Sequence, residues 1–189
     1  KVYLKSWGCQ MNTRDSEVIC GLLEKEGYEI IAEPDGADII LFNTCSVRQH
    51  AEEKVWSEIG RFKHIKGQFP SCSERSRGTG TVPIIGLIGC MAQEYKEGVF
   101  KRAPNVDFVV GPSDIHKVPE IIEKILRGQS PSGTVPATKG ISDFAGHTRA
   151  FLKIQDGCDN FCSYCKVPLV RGRSSSRAEK EIIQEAERL

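Results

Sequence analysis

Three strand-like runs of this chain each stop just short of a cysteine, and no other feature narrows the possible folds as much. Residues 2–6 alternate as a β-strand and break at Trp7-Gly8-Cys9. Asp38-Ile39-Ile40-Leu41-Phe42 is apolar almost throughout and ends at Asn43-Thr44-Cys45, and Ile84-Ile85-Gly86-Leu87-Ile88 runs into Gly89-Cys90. Continuous apolar runs of this length belong to strands covered on both faces. Helical spacing fills the intervals. Asn12-Thr13 offers an N-cap, Val18, Ile19, Leu22 and Leu23 recur until Gly27, and Val47, Ala51, Val55, Ile59 and Phe62 mark a second helix. A short strand over 28–32, a helix over 92–102, a strand over 106–110 and a helix over 113–126 complete the series. Strand alternating with helix predicts an α/β fold with a parallel sheet and helices on both faces.

Two stretches interrupt this pattern. Residues 63–82 are rich in Gly, Ser and basic side chains, with Lys63, Lys66, Arg75 and Arg77 against Glu74 alone, and we expect a mobile loop there. Residues 128–148 hold Pro131, Gly133, Pro136, Gly140 and Gly146, the composition of an interdomain linker. The expected organisation is therefore a domain over 1–127, a linker over 128–148, and the opening of a second domain over 149–189. In that last part a strand over 150–155 leads to Asp156-Gly157-Cys158, and a charged helix begins near Arg177. One strand, one loop and one helix cannot bury a core alone, so this unit reads as the start of a larger domain.

The cysteines carry the chemistry. Eight in 189 residues is too sparse for a disulfide-stapled scaffold. No export signal is recognisable ahead of the first strand, which points to a reducing cytoplasm, where clustered cysteines are more often metal ligands or catalysts. No run is long enough to predict a membrane span. A net charge of +1 announces no bulk attraction to nucleic acid.

Cys158-Asp159-Asn160-Phe161-Cys162-Ser163-Tyr164-Cys165 lets one loop turn three sulfurs toward a common point. Zinc would want a fourth ligand, which no nearby residue supplies. Three thiolates suit a cubane iron–sulfur cluster with one iron open to an outside ligand. A redox pair of Cys162 with Cys165, or a zinc site completed by His147, remains the alternative. Cys9, Cys45 and Cys90 form a dispersed second trio. Each lies beyond the carboxyl end of a predicted parallel strand, the edge where ligands gather in open α/β sheets. Small buried cysteines filling turn corners are the other explanation.

Cys20, inside a helical pattern, reads as a packing residue, and Cys72 as a free thiol in a polar loop. His50, His64, His116 and His147 show no ligand spacing. Arg171, Arg173 and Arg177 could grip a phosphate or carboxylate, or could pair with acids such as Glu179 or Glu181. The basic 61–77 stretch could touch RNA backbone or could be disordered.

Taken together, the triple-cysteine loop, Gly8-Cys9-Gln10-Met11-Asn12, Asn43-Thr44-Cys45-Ser46-Val47-Arg48 and Gly89-Cys90-Met91-Ala92-Gln93 resemble the methylthiotransferase family of radical S-adenosylmethionine enzymes, most closely its tRNA-acting branch. The resemblance spans nearly the whole chain: an amino-terminal methylthiotransferase domain, then the first strand and helix of a truncated radical β/α barrel. It implies two 4Fe-4S clusters. One, on Cys158, Cys162 and Cys165, would bind S-adenosylmethionine and generate a 5′-deoxyadenosyl radical, with Tyr164 near the adenine. The auxiliary cluster, on Cys9, Cys45 and Cys90, would carry the sulfur to be inserted, and no catalytic residue beyond the ligands is implied. The product would be a methylthio group at C2 of N6-isopentenyladenosine next to the anticodon. The implied partners are a tRNA anticodon stem-loop and an external one-electron reductant, met by a cytoplasmic, non-membrane protein that we expect to be a monomer. Lys166 and Ser174 depart from the family pattern, as does the apparent insertion at 71–81. A ribosomal protein or another modified adenosine as substrate, or a non-catalytic zinc-binding module, are the competing readings.

Overall fold

The computed structural model describes residues 1–46, 49–63, 82–129 and 151–188. The expected 63–82 loop and 128–148 linker therefore lie almost wholly outside the described residues, as do Cys72, His64 and His147.

Five parallel strands form the sheet, in the order β2-β1-β3-β4-β5. They are β1 (Val2–Trp7), β2 (Ile30–Ile31), β3 (Ile39–Thr44), β4 (Ile84–Ile88) and β5 (Phe108–Val110). Helix α1 (Gln10–Lys25) follows β1, α2 (Gln49–Arg61) follows β3, and α3 (Cys90–Tyr95) with α4 (Gly98–Arg102) follows β4. A 3-10 turn, Pro112–Lys117, leads into α5 (Val118–Leu126).

The apolar run in β3 explains the layering. All six of its residues are buried, and successive side chains of a strand point to opposite faces. Ile39 and Leu41 join Val18, Ile19 and Leu23 of α1 and Val118, Ile122 and Ile125 of α5. Ile40 and Phe42 join Val55 and Ile59 of α2, Met91 and Ala92 of α3, and Val99 of α4. Each fully buried Ile or Leu contributes about 1.5–3 kcal/mol to folding, so both helix layers are held by alternate residues of the same strands. The expected α/β sheet, covered on both faces, is what forms.

Gly86 of β4 pairs in register with Phe108 of β5. A Cβ at Gly86 would lie 2.3 Å from the Phe108 ring, so the ring rests directly on the glycine. Gly86→Ala should therefore overpack this site and lower stability by about 1–3 kcal/mol in urea melts. In a Phe108→Leu background the same substitution should cost measurably less.

Three local expectations are corrected. Helix α1 starts at Gln10 and not after Asn12-Thr13, because the Cys9 carbonyl accepts the backbone N–H groups of Asn12 and Thr13. Asn12 is then inside the helix and fully buried. The helix expected over 92–102 breaks at Lys96, whose φ is +45°; the turn lets Val99 reach the core as the start of a separate helix. Of the strand expected over 150–155, the described part, 151–155, joins a ladder only at its end, in Gln155–Asp156.

That short strand, β6, pairs antiparallel with β7 (Ser175–Ser176), and the Ile154 carbonyl just ahead of it accepts the Arg177 N–H at 3.0 Å. Between them lies α6 (Val167–Arg171), a helix not anticipated from sequence, and α7 (Glu179–Ala186) follows. This second segment packs on the amino-terminal domain. Lys166 reaches Glu94 at 2.8 Å, Arg171 reaches Asp15 at 2.6 Å, and Glu185 of α7 meets Arg14 of α1 in a buried ion pair.

Candidate metal centre

The strand register brings Cys9, Cys45 and Cys90 together. Trp7 is opposite Thr44 at the end of the β1–β3 ladder, and Asn43 is opposite Ile88 at the end of β3–β4. Cys9 is two residues beyond Trp7, Cys45 one beyond Thr44, and Cys90 two beyond Ile88. All three thus leave adjacent strands at the same edge. That edge is also the topological switch point, since the chain moves to one side of β1 to make β2 and to the other to make β3, and open α/β sheets bind ligands there. The three cysteines line one cavity of about 200 Å³.

Two glycines permit this closeness. Gly8 has a φ of +149°, and a Cβ there would lie 2.5 Å from Cβ of Cys45. Gly89 has a φ of +93°, and a Cβ there would lie 2.3 Å from Oδ1 of Asn43. Both positions need the glycine backbone, and both need its missing side chain.

Beneath the cysteines sits a buried polar lattice. Asn43 donates through Nδ2 to the Asn12 carbonyl at 2.8 Å and to Ser16 Oγ at 2.8 Å. Asn12 donates through Nδ2 to Asn43 Oδ1 at 3.1 Å, and Cys9 Sγ lies 3.3 Å from Asn12 Oδ1. The lattice ties the Cys9 turn to the Cys45 turn. Asn43→Ala would take the partner from the Asn12 side-chain Nδ2–H and from the Ser16 hydroxyl, each costing about 1–3 kcal/mol when buried without a partner. The expected result is a lowered unfolding midpoint, together with weaker iron retention on reconstitution.

The thiols differ in their readiness to bind metal. A hydrogen bond from the Cys45 thiol lowers the Cys9 pKa to about 5, helped by the backbone N–H groups of Asn12 and Met11, in spite of burial. Burial raises the Cys90 thiol, opposed by the Arg171 guanidinium beside it. Cys20 is different in kind, pushed up to about 11 by burial next to Glu24 and Glu17, which suits an inert packing residue.

The second segment completes the cavity wall with Gln155, Gly157, Val167, Val170 and Arg171. Arg171 is held between Asp15 and Asp156, at 2.6 and 3.4 Å. Burial works against its charge, yet Asp15 and Cys90 raise its pKa above the ordinary arginine value. Its partners are not the neighbouring acids Glu179 and Glu181 that the sequence suggested. Arg177 does approach Glu181, at 4.0 Å, but its closer partner is Glu185, at 2.5 Å.

Cys158, Cys162 and Cys165 occupy one loop, immediately after the cavity-lining Gly157, and do not enter that cavity. The loop is curled by a Cys165 N–H to Cys162 carbonyl bond of 2.9 Å and by Phe161, whose φ is +45°. Arg173 stacks on the Phe161 ring at 4.6 Å. Cys162 is exposed, Cys158 and Cys165 are half-buried, and Tyr164 is 88% exposed. None of the seven described cysteines is in a disulfide.

Among the described residues, no three Cys, His, Asp or Glu side chains are arranged to hold a single metal ion. A cluster spreads its ligands over several irons, and soft thiolates without hard oxygen donors are the ligand type it selects. The Cys9, Cys45 and Cys90 donor set, three soft sulfurs lining one cavity, fits such a group.

Comparison with known proteins bears on the same residues. Residues 1–111 match the model of the family described as uncharacterized protein family UPF0004. The chain belongs to this family, whose domain is the amino-terminal domain of methylthiotransferases. It is also 37% identical, over 98% of its length, to the tRNA-2-methylthio-N(6)-dimethylallyladenosine synthase of Rhodopirellula baltica. It spans 40% of that relative's length. No helix among the described residues is long and apolar enough to cross a membrane.

Proposed function

We propose that the protein is a radical S-adenosylmethionine methylthiotransferase of tRNA, acting at C2 of N6-isopentenyladenosine beside the anticodon. In this reading residues 1–127 form the domain that holds an auxiliary 4Fe-4S cluster on Cys9, Cys45 and Cys90. Residues 149–189 open the radical domain, with a second 4Fe-4S cluster on Cys158, Cys162 and Cys165, and 128–148 link the two. The observation that carries the proposal is the convergence of three sequence-distant cysteines on one cavity whose far wall leads directly into the triple-cysteine loop. The resemblance of the chain to a tRNA methylthiotransferase supports the substrate.

When bound, the clusters with S-adenosylmethionine supply one-electron cleavage of a sulfonium on one side and sulfur on the other. The chain's own part is positioning. The Asn12–Asn43 lattice fixes the Cys9 and Cys45 turns, and Gly8 and Gly89 let those turns meet. A low Cys9 pKa makes that thiolate available at neutral pH. Exposed Tyr164 is free to stack on an adenine ring, and Arg171 forms part of the wall of the Cys9, Cys45 and Cys90 cavity. The target base must reach both trios, so its loop must be splayed and single-stranded. An external one-electron donor and a cytoplasmic setting belong to the same proposal.

Nucleoside analysis of tRNA from a strain lacking the gene tests it. The methylthio nucleoside should disappear and its unmodified isopentenyl precursor accumulate. An unchanged nucleoside profile would point instead to a ribosomal-protein side chain or to another modified adenosine. Zinc without acid-labile sulfide in the purified protein would leave only a binding module.

A further inference from the structure

We propose that Arg171 is a positioning residue that links the two cysteine trios, holding the Cys90 sulfur from the second segment in the orientation a cluster ligand requires. The inference rests on the reading above, in which Cys90 is a ligand.

Its first support is geometric. Arg171 donates through Nε to Cys90 Sγ at 3.2 Å, through one terminal nitrogen to Asp15 at 2.6 Å and through the other to Asp156 at 3.4 Å. The side chains of Arg171 and Asp15 are 7% and 1% exposed, so solvent does not compete for that bond, whereas Asp156 is reached at the more open end of the guanidinium. All three nitrogens of one rigid plane are used, each toward a different element. A lysine could replace the charge but not these three directions.

The second support is electrostatic. Lys153 sits on Asp156 at 2.6 Å, so Lys153, Asp156, Arg171 and Asp15 alternate in sign and sum to zero. The carboxylates anchor and neutralise the guanidinium, and its remaining N–H is aimed at sulfur. A hydrogen bond to a ligand sulfur stabilises the more electron-rich, reduced cluster and raises its potential.

The third support is connectivity. Arg171 ends α6, which begins two residues after Cys165, while Asp15 is on α1 just after Cys9. One side chain thus joins the triple-cysteine loop, the Cys9 helix and the Cys90 turn.

Two measurements test this, both in the protein carrying all its domains. In a C158A/C162A/C165A background only the auxiliary cluster remains, and its midpoint potential can be read by titration followed with electron paramagnetic resonance. Arg171→Lys should move the midpoint to a more negative value at unchanged iron and sulfide content. An unchanged midpoint at full iron content would reduce Arg171 to a packing residue and overturn the proposal.

The second measurement needs no metal and leaves Arg171 in place. In the apoprotein the Arg171 Nε–H, followed by nuclear magnetic resonance, should exchange with water about tenfold faster in Cys90→Ala, as loss of a charge-assisted bond predicts. Equal exchange rates would show that the contact does not hold the two groups together. Absence of iron from the unaltered protein would defeat the cluster reading, whereas the exchange experiment would still report on the Arg171–Cys90 contact.

Discussion

Glu185→Ala should cost about 3–5 kcal/mol, the loss expected when one partner of a buried ion pair is removed and the other is left in place. Glu185 is 2% exposed and lies between Arg14 of α1 and Arg177. Nε and one terminal nitrogen of Arg14 have no partner among the described residues, so Glu185 is what compensates that buried charge. Its loss should free α7 from α1, seen as faster hydrogen exchange over 179–186 and a lower melting temperature. Glu185→Gln keeps the shape and one acceptor and should cost less.

The same carboxylate sets an acid limit. Burial by itself would raise its pKa, but Arg177 and Arg14 hold it below the ordinary glutamate value of 4.5. A depressed folded pKa adds stability that is fully present above the unfolded value and is lost as pH falls through the folded one. Docking of α7 should therefore persist at pH 5 and weaken below about 4.5. In Glu185→Ala this acid limb should flatten.

The second large effect concerns iron. The anaerobically reconstituted protein should hold about eight irons per chain, as two cubane clusters require. Replacing Cys9, Cys45 and Cys90 by alanine together should halve that number while leaving S-adenosylmethionine cleavage measurable, because Cys158, Cys162 and Cys165 lie on a separate loop. Changing the second trio should halve the iron as well, but should abolish cleavage. Unchanged iron in the first variant would contradict the ligand assignment.

What could be read from the sequence follows from local physics. The strands of the sheet announced themselves through residue-to-residue hydrophobicity, and the position of a cysteine just past a strand end already implied a shared edge. Register then converts three distant residues into neighbours, which spacing alone could suggest but not demonstrate. What stayed hidden depends on partners far along the chain. Asn12 looked like a helix cap because its neighbours are polar, yet it pairs with Asn43 across two turns. A cue was present: Asn12, Arg14, Asp15 and Ser16 crowd one turn of α1, and all are buried. Polar residues placed so close together around a helix cannot all face solvent, and such crowding marks a site. Arg171 was visible as a basic residue near a cysteine loop, but Asp15 and Cys90 are 156 and 81 residues away in sequence. No periodicity carries that information. Helix α6 was missed because only five residues, Val167–Arg171, form it, too few to show a repeat.

Anomalous scattering from anaerobically grown crystals, recorded on either side of the iron absorption edge, tests the central claim most directly. The account predicts two separate iron peaks per chain, one in the cavity among Cys9, Cys45 and Cys90 and the other at the Cys158–Cys165 loop. An iron peak at the loop alone, with the sulfurs at 9, 45 and 90 bare or holding a single zinc, would contradict it.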